Sequence, residues 1–351
     1  VSDWKVIHRS IDGVSLAECA PEQLSWGRYL NRPGYINYDI DLTHFAAKYE
    51  NCGAYRTDFE LKRDDLTILS GLHNAVAADM DEDVIHVAGA GWLHYLERRQ
   101  WPFAMGQDQS SSGQIWFDVD VGDIVTDLVT AAMVNGKGVN YGMANQQLGI
   151  KTNYRIEPAD TGTLFDKVTE LSQQQPGFDF VCDNDKNFQM FVPSKGEQVT
   201  AYSLELGRNI KSVHYGDNGP VGNYILGTGA GSSNKLAWGE SNLDSEAIYR
   251  RLDTSADFGD NPNVSSVRRL TDHQLDKSSV PDLDLWVTVY PEEYDLAYTA
   301  VDVGDMLKVM ADLTYVKLDD LYRVTGIEGY LNAQGDEQIV FTFNDHTMSN
   351  A

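Results

Sequence analysis

The sequence predicts an α+β fold that is mainly β, with two β-rich modules separated by an α+β unit. Three observations predict it. Stretches near both ends alternate apolar and polar residues with the period of a strand, one face for a core and one for water. Helical spacing is concentrated in the middle of the chain. A block near the N-terminus also recurs near the C-terminus.

The recurring block reads Lys62-Arg63-Asp64-Asp65-Leu66-Thr67-Ile68-Leu69-Ser70-Gly71-Leu72, followed by Asp81-Glu82-Asp83-Val84-Ile85. Its counterpart reads Lys317-Leu318-Asp319-Asp320-Leu321-Tyr322-Arg323-Val324-Thr325-Gly326-Ile327, followed by Asp336-Glu337-Gln338-Ile339-Val340. The spacing stays at 255 residues without a gap, and Lys62, Asp64, Asp65, Leu66, Gly71, Asp81 and Glu82 recur unchanged. A shared pattern of turn, strand, Gly, strand, acidic turn and strand marks two copies of one β-rich module.

Taken in order, residues 1–90 read as β. Leu24, Trp26, Arg28 and Leu30 alternate with Ser25, Gly27 and Tyr29, and the turn sequence Asn31-Arg32-Pro33-Gly34 follows. Ile36, Tyr38, Ile40 and Leu42 then alternate with Asn37, Asp39 and Asp41, which predicts a hairpin. Residues 43–53 read as a short helix or a loop. Three more strands are expected at Asp58–Lys62, Leu66–Gly71 and Val84–Ala88, with Asp64-Asp65 as a turn.

Residues 91–205 read as an inserted α+β unit. A short helix is expected around Trp92, Leu93 and Leu96, then a Ser-rich loop from Gly106 to Gly113. Ile124, Val125, Leu128, Val129 and Met133 have helical spacing, with Asp120 or Asp123 at the end where a carboxylate suits the helix dipole. Leu164, Phe165, Val168 and Leu171 predict a second helix, capped by Thr161 or Thr163 and ended by Pro176-Gly177. A hairpin follows, from Phe178, Phe180 and Cys182 through Asp183–Asn187 into Phe188–Val192. From 206 to 351 strands return at Ile210–Tyr215, Val221–Leu226, Leu285–Tyr290 and Met306–Met310. Residues 231–262 read as loop, and Val264–Leu275 as a short helix, so a loop and helix insertion is expected near 231–280.

Composition narrows the function classes. The net charge is −26, and residues 281–351 hold three basic against fourteen acidic side chains, whereas 1–90 hold eight against fifteen. Such a surface does not grip nucleic acid through its phosphates, which takes clustered Lys and Arg. No run of roughly 18 apolar residues exists, so no membrane-spanning helix is expected. No basic-then-apolar leader pattern opens the chain. Cys19, Cys52 and Cys182 are odd in number and widely spaced, which argues for reduced thiols over a disulfide framework or a zinc site.

Motifs for chemistry do not survive inspection. Gly227-Thr228-Gly229-Ala230-Gly231 lacks the Gly-Lys-Ser/Thr of a phosphate loop and reads as a turn. Asp183, Asp185 and Asn187 open like a calcium loop, but Phe188 and Ser194 stand where Gly and Glu are needed, so a hairpin turn is favoured. The eight histidines form no metal-binding spacing, and no nucleophile elbow is present. No catalytic, cofactor-binding or metal-ligating residue is nominated, and no cofactor is expected.

The order of modules resembles one family. It is carried by the closing strands Val303-Gly304-Asp305-Met306-Leu307-Lys308-Val309 and Tyr322-Arg323-Val324-Thr325-Gly326-Ile327, by Leu24 to Gly34, and by Gly162 to Leu171 with its hairpin. Together they are similar to the tail-tip or baseplate hub proteins of long-tailed bacteriophages, also called minor tail proteins, and to the N-terminal part of tail-associated lysins. The resemblance covers essentially the whole chain and implies two tube-type antiparallel β-barrels, 1–90 and 206–351, around the inserted unit. It also implies a homotrimer whose duplicated barrels match a threefold tip to a sixfold tail. The expected partners are a distal tail or tail-tube ring, tip or fibre proteins, and genomic DNA passing through without specific binding. The expected place is the virion tail tip, assembled in the host cytoplasm, and the role is structural rather than enzymatic, with no lytic extension. Two other classes compete. A tail-associated cell-wall hydrolase would turn over peptidoglycan, and a secreted carbohydrate-binding β protein would carry a signal sequence.

Overall fold

The computed structural model describes residues 3–101, 113–133, 138–143, 146–157, 161–174, 177–229, 237–258, 264–279, 281–290 and 298–344. The first segment supplies β1 (Trp4–Ser10), β2 (Ser15–Cys19), β3 (Leu24–Tyr29), β4 (Tyr35–Asp41), β5 (Thr57–Arg63), β6 (Leu66–Asp79) and β7 (Val84–Gly91). The predicted β3–β4 hairpin is present, with Trp26 opposite Ile36 and Leu24 opposite Tyr38. Alternation works as expected: Ile36, Tyr38 and Ile40 are buried, while Tyr35, Asn37 and Asp39 face out. Residues 43–53 hold one 3-10 turn at Phe45–Ala47. The strand after Asp64-Asp65 runs eight residues past Gly71, to Asp79.

The middle of the chain contributes α1 (His94–Glu97), β8 (Gln114–Asp120), α2 (Val121–Met133), β9 (Gly142–Met143), β10 (Lys151–Ile156), α3 (Leu164–Ser172), β11 (Asp179–Cys182) and β12 (Asn187–Phe191). Both predicted long helices are present. Thr163 caps α3 in a reciprocal box with Asp166, which satisfies N–H groups that the helix start leaves without partners. Asp120 accepts from the Gly122 N–H at the start of α2. Apart from Gly113, the Ser-rich loop from Gly106 lies outside the described residues, as does Pro176. This unit has its own apolar core, built on Ile124, Leu128, Leu164, Val168, Phe180 and Phe188.

The remaining elements are β13 (Gln198–Glu205), β14 (Ile210–Pro220), β15 (Tyr224–Thr228), β16 (Ala237–Ser241), α4 (Leu243–Ile248), β17 (Asp253–Asp257), α5 (Val264–Ser278), β18 (Pro281–Val289), β19 (Met306–Asp312), β20 (Lys317–Leu331) and β21 (Glu337–Asn344). One expectation fails here. Residues 231–262 are not all loop: among the described residues they hold β16, α4 and β17. These strands are short and largely polar on both faces, so no alternation announces them. They flank β15 in a small separate sheet against which α5 packs.

Among the described residues the main sheet has 13 strands and follows the path β14-β18-β21-β20-β3-β4-β7-β6-β5-β1-β2, with β19 on β20 and β13 on β19. Neighbours pair antiparallel except β13 and β19, which run parallel. Strands from the two ends of the chain join edge to edge, with Gly326 opposite Tyr29 and Leu331 opposite Leu24. Their inner faces bury one shared cluster that includes Trp26, Tyr38, Phe59, Val287, Leu307 and Phe341. The fold is thus mainly β, with an α+β unit inserted between two β-modules.

The recurring block maps onto two three-strand meanders, β5-β6-β7 and β19-β20-β21, but not residue for residue. Asp64 sits in the β5–β6 turn with φ 53°, whereas Asp319 and Asp320 lie inside β20. The matching turn falls earlier, around Thr314 with φ 67°. Leu72 faces Ala90, yet Ile327 faces Phe341, not position 345 as constant spacing would require. The recurring glycine does have a common cause. A Cβ on Gly71 would lie 1.9 Å from the Ala90 carbonyl oxygen, and one on Gly326 would lie 2.7 Å from the Tyr29 ring.

Candidate functional site

The two β-modules are related strand by strand. The row β14-β18-β21-β20 is followed directly by β3-β4-β7-β6, with each long strand, β20 and β6, in the fourth place. The first half of β20 pairs with β19; its second half, Gly326–Leu331, pairs with β3 on that same side, β21 lying on the other. The first half of β6 likewise pairs with β5, and β7 lies on its other side. Beyond the Tyr55 N–H that donates to the His73 carbonyl, no strand among the described residues occupies the β5 side of Asn74–Asp79. At the far end of the row, β14 pairs with β18 on one side. Its other side meets only the single bridge Leu206–Ile210 among the described residues.

The other sheet ends are protected. The 3-10 turn at Phe45–Ala47 packs beside β2, and the backbone of Glu22 and Gln23 bonds to Asp39. The pairing of β13 slips between Val199 and Ser203, a bulge that spoils an edge for further pairing. The open edge of β6 bears small exposed residues, Ala75, Ala77 and Ala78, beside Val76. Exposed apolar edges are templates for another strand.

The outward face of this eight-strand row is acidic. Carboxylates stand at Asp39, Asp79, Asp284 and Glu328. Among the outward positions of β18, β21, β3, β4, β7 and the second half of β20, none is Lys or Arg. Glu328 sits at the join, accepting from Tyr29 Oη at 2.6 Å and from Tyr330 Oη at 2.5 Å. Burial, reinforced by that carboxylate, pushes both phenols up, so they remain donors. The Arg32 guanidinium lies 3.7 Å from the Tyr29 ring centroid.

Inside the first module a chain of polar groups crosses the core. Tyr38 Oη lies 3.0 Å from His8 Nε2 and 2.7 Å from His73 Nε2. His8 Nδ1 lies 2.9 Å from the Asn51 carbonyl oxygen, and His73 Nδ1 lies 2.8 Å from Thr57 Oγ1. The chain ends on two carbonyl acceptors, that of Asn51 beside His8 and that of Gly53, to which Thr57 Oγ1 donates at 3.1 Å. Burial lowers the His8 pKa to about 4 and holds His73 well below its usual range.

Among the described residues, Asp79, Glu82 and His86 are the group with ligand atoms within 4.8 Å of one another. His86 Nδ1 also contacts Asp39 Oδ1 at 2.7 Å, and that hydrogen bond, then the charges of Asp39, Glu82 and Asp79, raise its pKa. His86 and Asp39 form the ion pair of this cluster among the described residues. Asp183, Asp185 and Asn187 form the expected turn, in which Asp183 Oδ1 accepts from the Asp185 and Asn187 N–H groups. Cys19, Cys52 and Cys182 are free, and burial raises the thiol pKa of each. Gly227 and Thr228 belong to β15, while 230 and 231 lie outside the described residues. Sequence reasoning missed the open edges, whose signal, the small-residue run Ala75-Val76-Ala77-Ala78, is plain only once pairing is known.

This arrangement of edge-joined β-modules with an inserted α+β unit is the fold of phage tail proteins. The chain matches the 43 kDa tail protein of prophage MuSo2 from Shewanella oneidensis with a TM-score of 0.70 at 12% identity, over 97% of this chain and 98% of that one. It matches a tail protein from Neisseria meningitidis MC58 with a TM-score of 0.64 at 12% identity, over 97% and 96% of the two chains. Prophage tail protein gp18 from Listeria monocytogenes EGD-e gives 0.59 at 9% identity, over 98% and 95%. No protein-family model matches the chain, and no curated protein matches it in sequence.

Proposed function

We propose that this chain is a structural hub at the distal end of a phage tail tube, built as a ring of three copies. The observation that carries the reading is the pair of open edges. Within one chain β3 adds to the second half of β20; between chains β14 adds in the same way to the second half of β6. Such a head-to-tail contact closes into a ring when the rotation permits, and the added hydrogen bonds satisfy two rows of backbone groups.

Three copies, each with a 1–90 and a 206–351 module, present six similar units around a channel and so join a sixfold tail ring to threefold tip or fibre proteins. The acidic outward face lines that channel. Its carboxylates repel DNA phosphates, and Arg32 beside Tyr29 stands among them without the cluster of Lys and Arg that would hold a phosphate backbone, so the genome passes without adhering. The location is the virion tail tip, and the role is mechanical rather than catalytic.

The test is mass photometry and negative-stain electron microscopy of the purified chain. A threefold ring with an open centre is the expected result. A species that stays monomeric at every concentration tried, with no ring on the grid, overturns the reading.

A further inference from the structure

The middle unit is attached to the two β-modules by contacts of two different kinds. Toward β6 and β7 the contact has an apolar centre and a polar fringe: Leu72 of β6, together with Trp92 and Leu93 just after β7, belongs to the core of the middle unit, and Asn184 bonds Ser70 and the Thr67 carbonyl. Toward the β3–β4 turn and β20 the contact is chiefly polar, with Val181 packed on the shared β core, and it converges on one carboxylate. Asp179, at the start of β11, is buried and accepts from three separate elements. Asn31 Nδ2, in the β3–β4 turn, donates at 2.8 Å, and the Lys195 N–H donates at 2.7 Å. The third donor is Arg323 Nη2 from β20, which also donates to the Lys195 carbonyl at 3.0 Å. Lys195 Nζ in turn donates to Asp302 Oδ2 at 2.6 Å and to the Val303 carbonyl at 2.7 Å.

Between these two attachments lies a cleft of about 260 Å³, bordered by Trp92, Ser70 and Asn184 on the apolar side and by Arg28, Lys195 and Asp302 on the charged side. The chain leaves the middle unit through Gly196, at φ 97°, which packs against Gly304, at φ 101°. Only glycine adopts such angles without strain, and a Cβ on Gly196 would lie 2.2 Å from Gly304 backbone atoms. Polar interfaces separate at less cost than apolar ones, because water can replace each partner.

We infer that the middle unit is a pivoting arm, turning about the Leu72–Trp92 contact and held closed by the charge latch on Asp179. Opening the latch exposes Asp179, Arg323 and Lys195 to water, releases Phe180 from Asn31 and lifts Val181 from the shared β core, while the core of the middle unit stays intact. The arm widens the existing cleft, and the Gly196 segment absorbs the rotation. The device is a property of the single chain and does not depend on ring formation, so it can fail or hold independently of the hub reading.

Hydrogen–deuterium exchange on the full chain tests it. In Arg323→Gln, amides of 179–197 exchange about tenfold or more faster, while those of β4, β7 and β21 keep their protection. Asn31→Ala, which removes the donor to Asp179 and the acceptor of the Phe180 N–H without changing any charge, produces a smaller increase at 181–197, beyond the amide that it unpairs directly. Raising the salt concentration speeds exchange there in the wild-type chain. If Arg323→Gln instead loosens the main sheet and the middle unit together, or if neither variant changes exchange at 179–197, the latch is wrong. An Arg323→Gln chain that does not fold leaves Asn31→Ala and the salt series to decide between the same outcomes.

Discussion

The two β-modules share a strand order yet differ in what surrounds their long strands. The second half of β20 has a neighbour on each side, β21 and β3. The second half of β6 has β7 alone among the described residues. The same structural position is therefore filled by β3 in one module and, among the described residues, by no strand in the other. Their interiors differ too. The first module carries the polar chain His8–Tyr38–His73 through its core, whereas the second module's His214 is exposed. The two modules thus share a scaffold and differ in what surrounds it.

The shared core gives the largest test of that comparison. Phe341→Ala in β21 removes a ring buried in the same cluster as Trp26, and such truncations cost about 3–5 kcal/mol. Denaturation followed separately by exchange in β4 and in β18 is expected to show both modules losing stability together. A first module left untouched would mean that the cluster is two cores in contact.

Proline scanning contrasts the two long strands directly. Tyr330→Pro puts proline, which cannot donate to the ladder, into a strand paired on both sides and is expected to lower folding stability. Val76→Pro, on the half-open strand, is expected to leave a folded chain while abolishing the ring. Circular dichroism and light scattering on both variants separate the outcomes, and equal unfolding by both would remove the distinction between the edges.

Acid sharpens the difference in interiors. A histidine whose folded pKa lies below its unfolded value near 6.5 leaves the fold most stable above that value, and stability falls as the unfolded chain alone takes up a proton. For His8 the window runs from about 6.5 down to about 4 and is worth about 3 kcal/mol, with His73 adding to it. Asp58 acts in the opposite sense: burial, which outweighs the charge of Lys186, raises its pKa to about 6. The fold therefore gains from Asp58 as pH falls from about 6 toward the carboxylate's ordinary value. Urea midpoints measured between pH 7 and pH 4 are expected to decline, less steeply in His8→Gln and more steeply in Asp58→Asn. A flat profile in the wild type, or no change in its slope in either variant, would contradict the buried-histidine account.

The smallest effect separates the two acidic pairs of the recurring block. Asp64→Val places a β-branched residue at φ 53° and costs about 1–2 kcal/mol. Asp319→Val sits in a strand, loses only an exposed ion pair with Lys308, and stays within about 1 kcal/mol of wild type. Thermal melts of the two variants check the order, and a larger loss for Asp319→Val would reverse it.

Much of this was legible from residues alone because local rules were in force. The β3–β4 hairpin announces itself through alternation and an Asn-Arg-Pro-Gly turn. Helix α3 announces itself through apolar spacing and the Thr163–Asp166 box. The strands β16 and β17 were not legible, since their stability comes from β15 and α5 rather than from their own pattern. The placement of Asp319-Asp320 was misread because an acidic pair fits a turn or an exposed strand equally well, and only hydrogen-bonding register chooses between them.

By itself the sequence determined the mainly β composition, the β-rich ends, the inserted α+β unit and the acidic surface, because each is written in local periodicity or in side-chain charge. The tertiary structure decided that the two modules fuse into one sheet, that the second half of β6 has a strand on one side alone among the described residues, and that Asp179 gathers donors from Asn31, Lys195 and Arg323. These are statements about which backbone groups find partners across long separations in the chain. Strand pairing is non-local, and no window of sequence contains it.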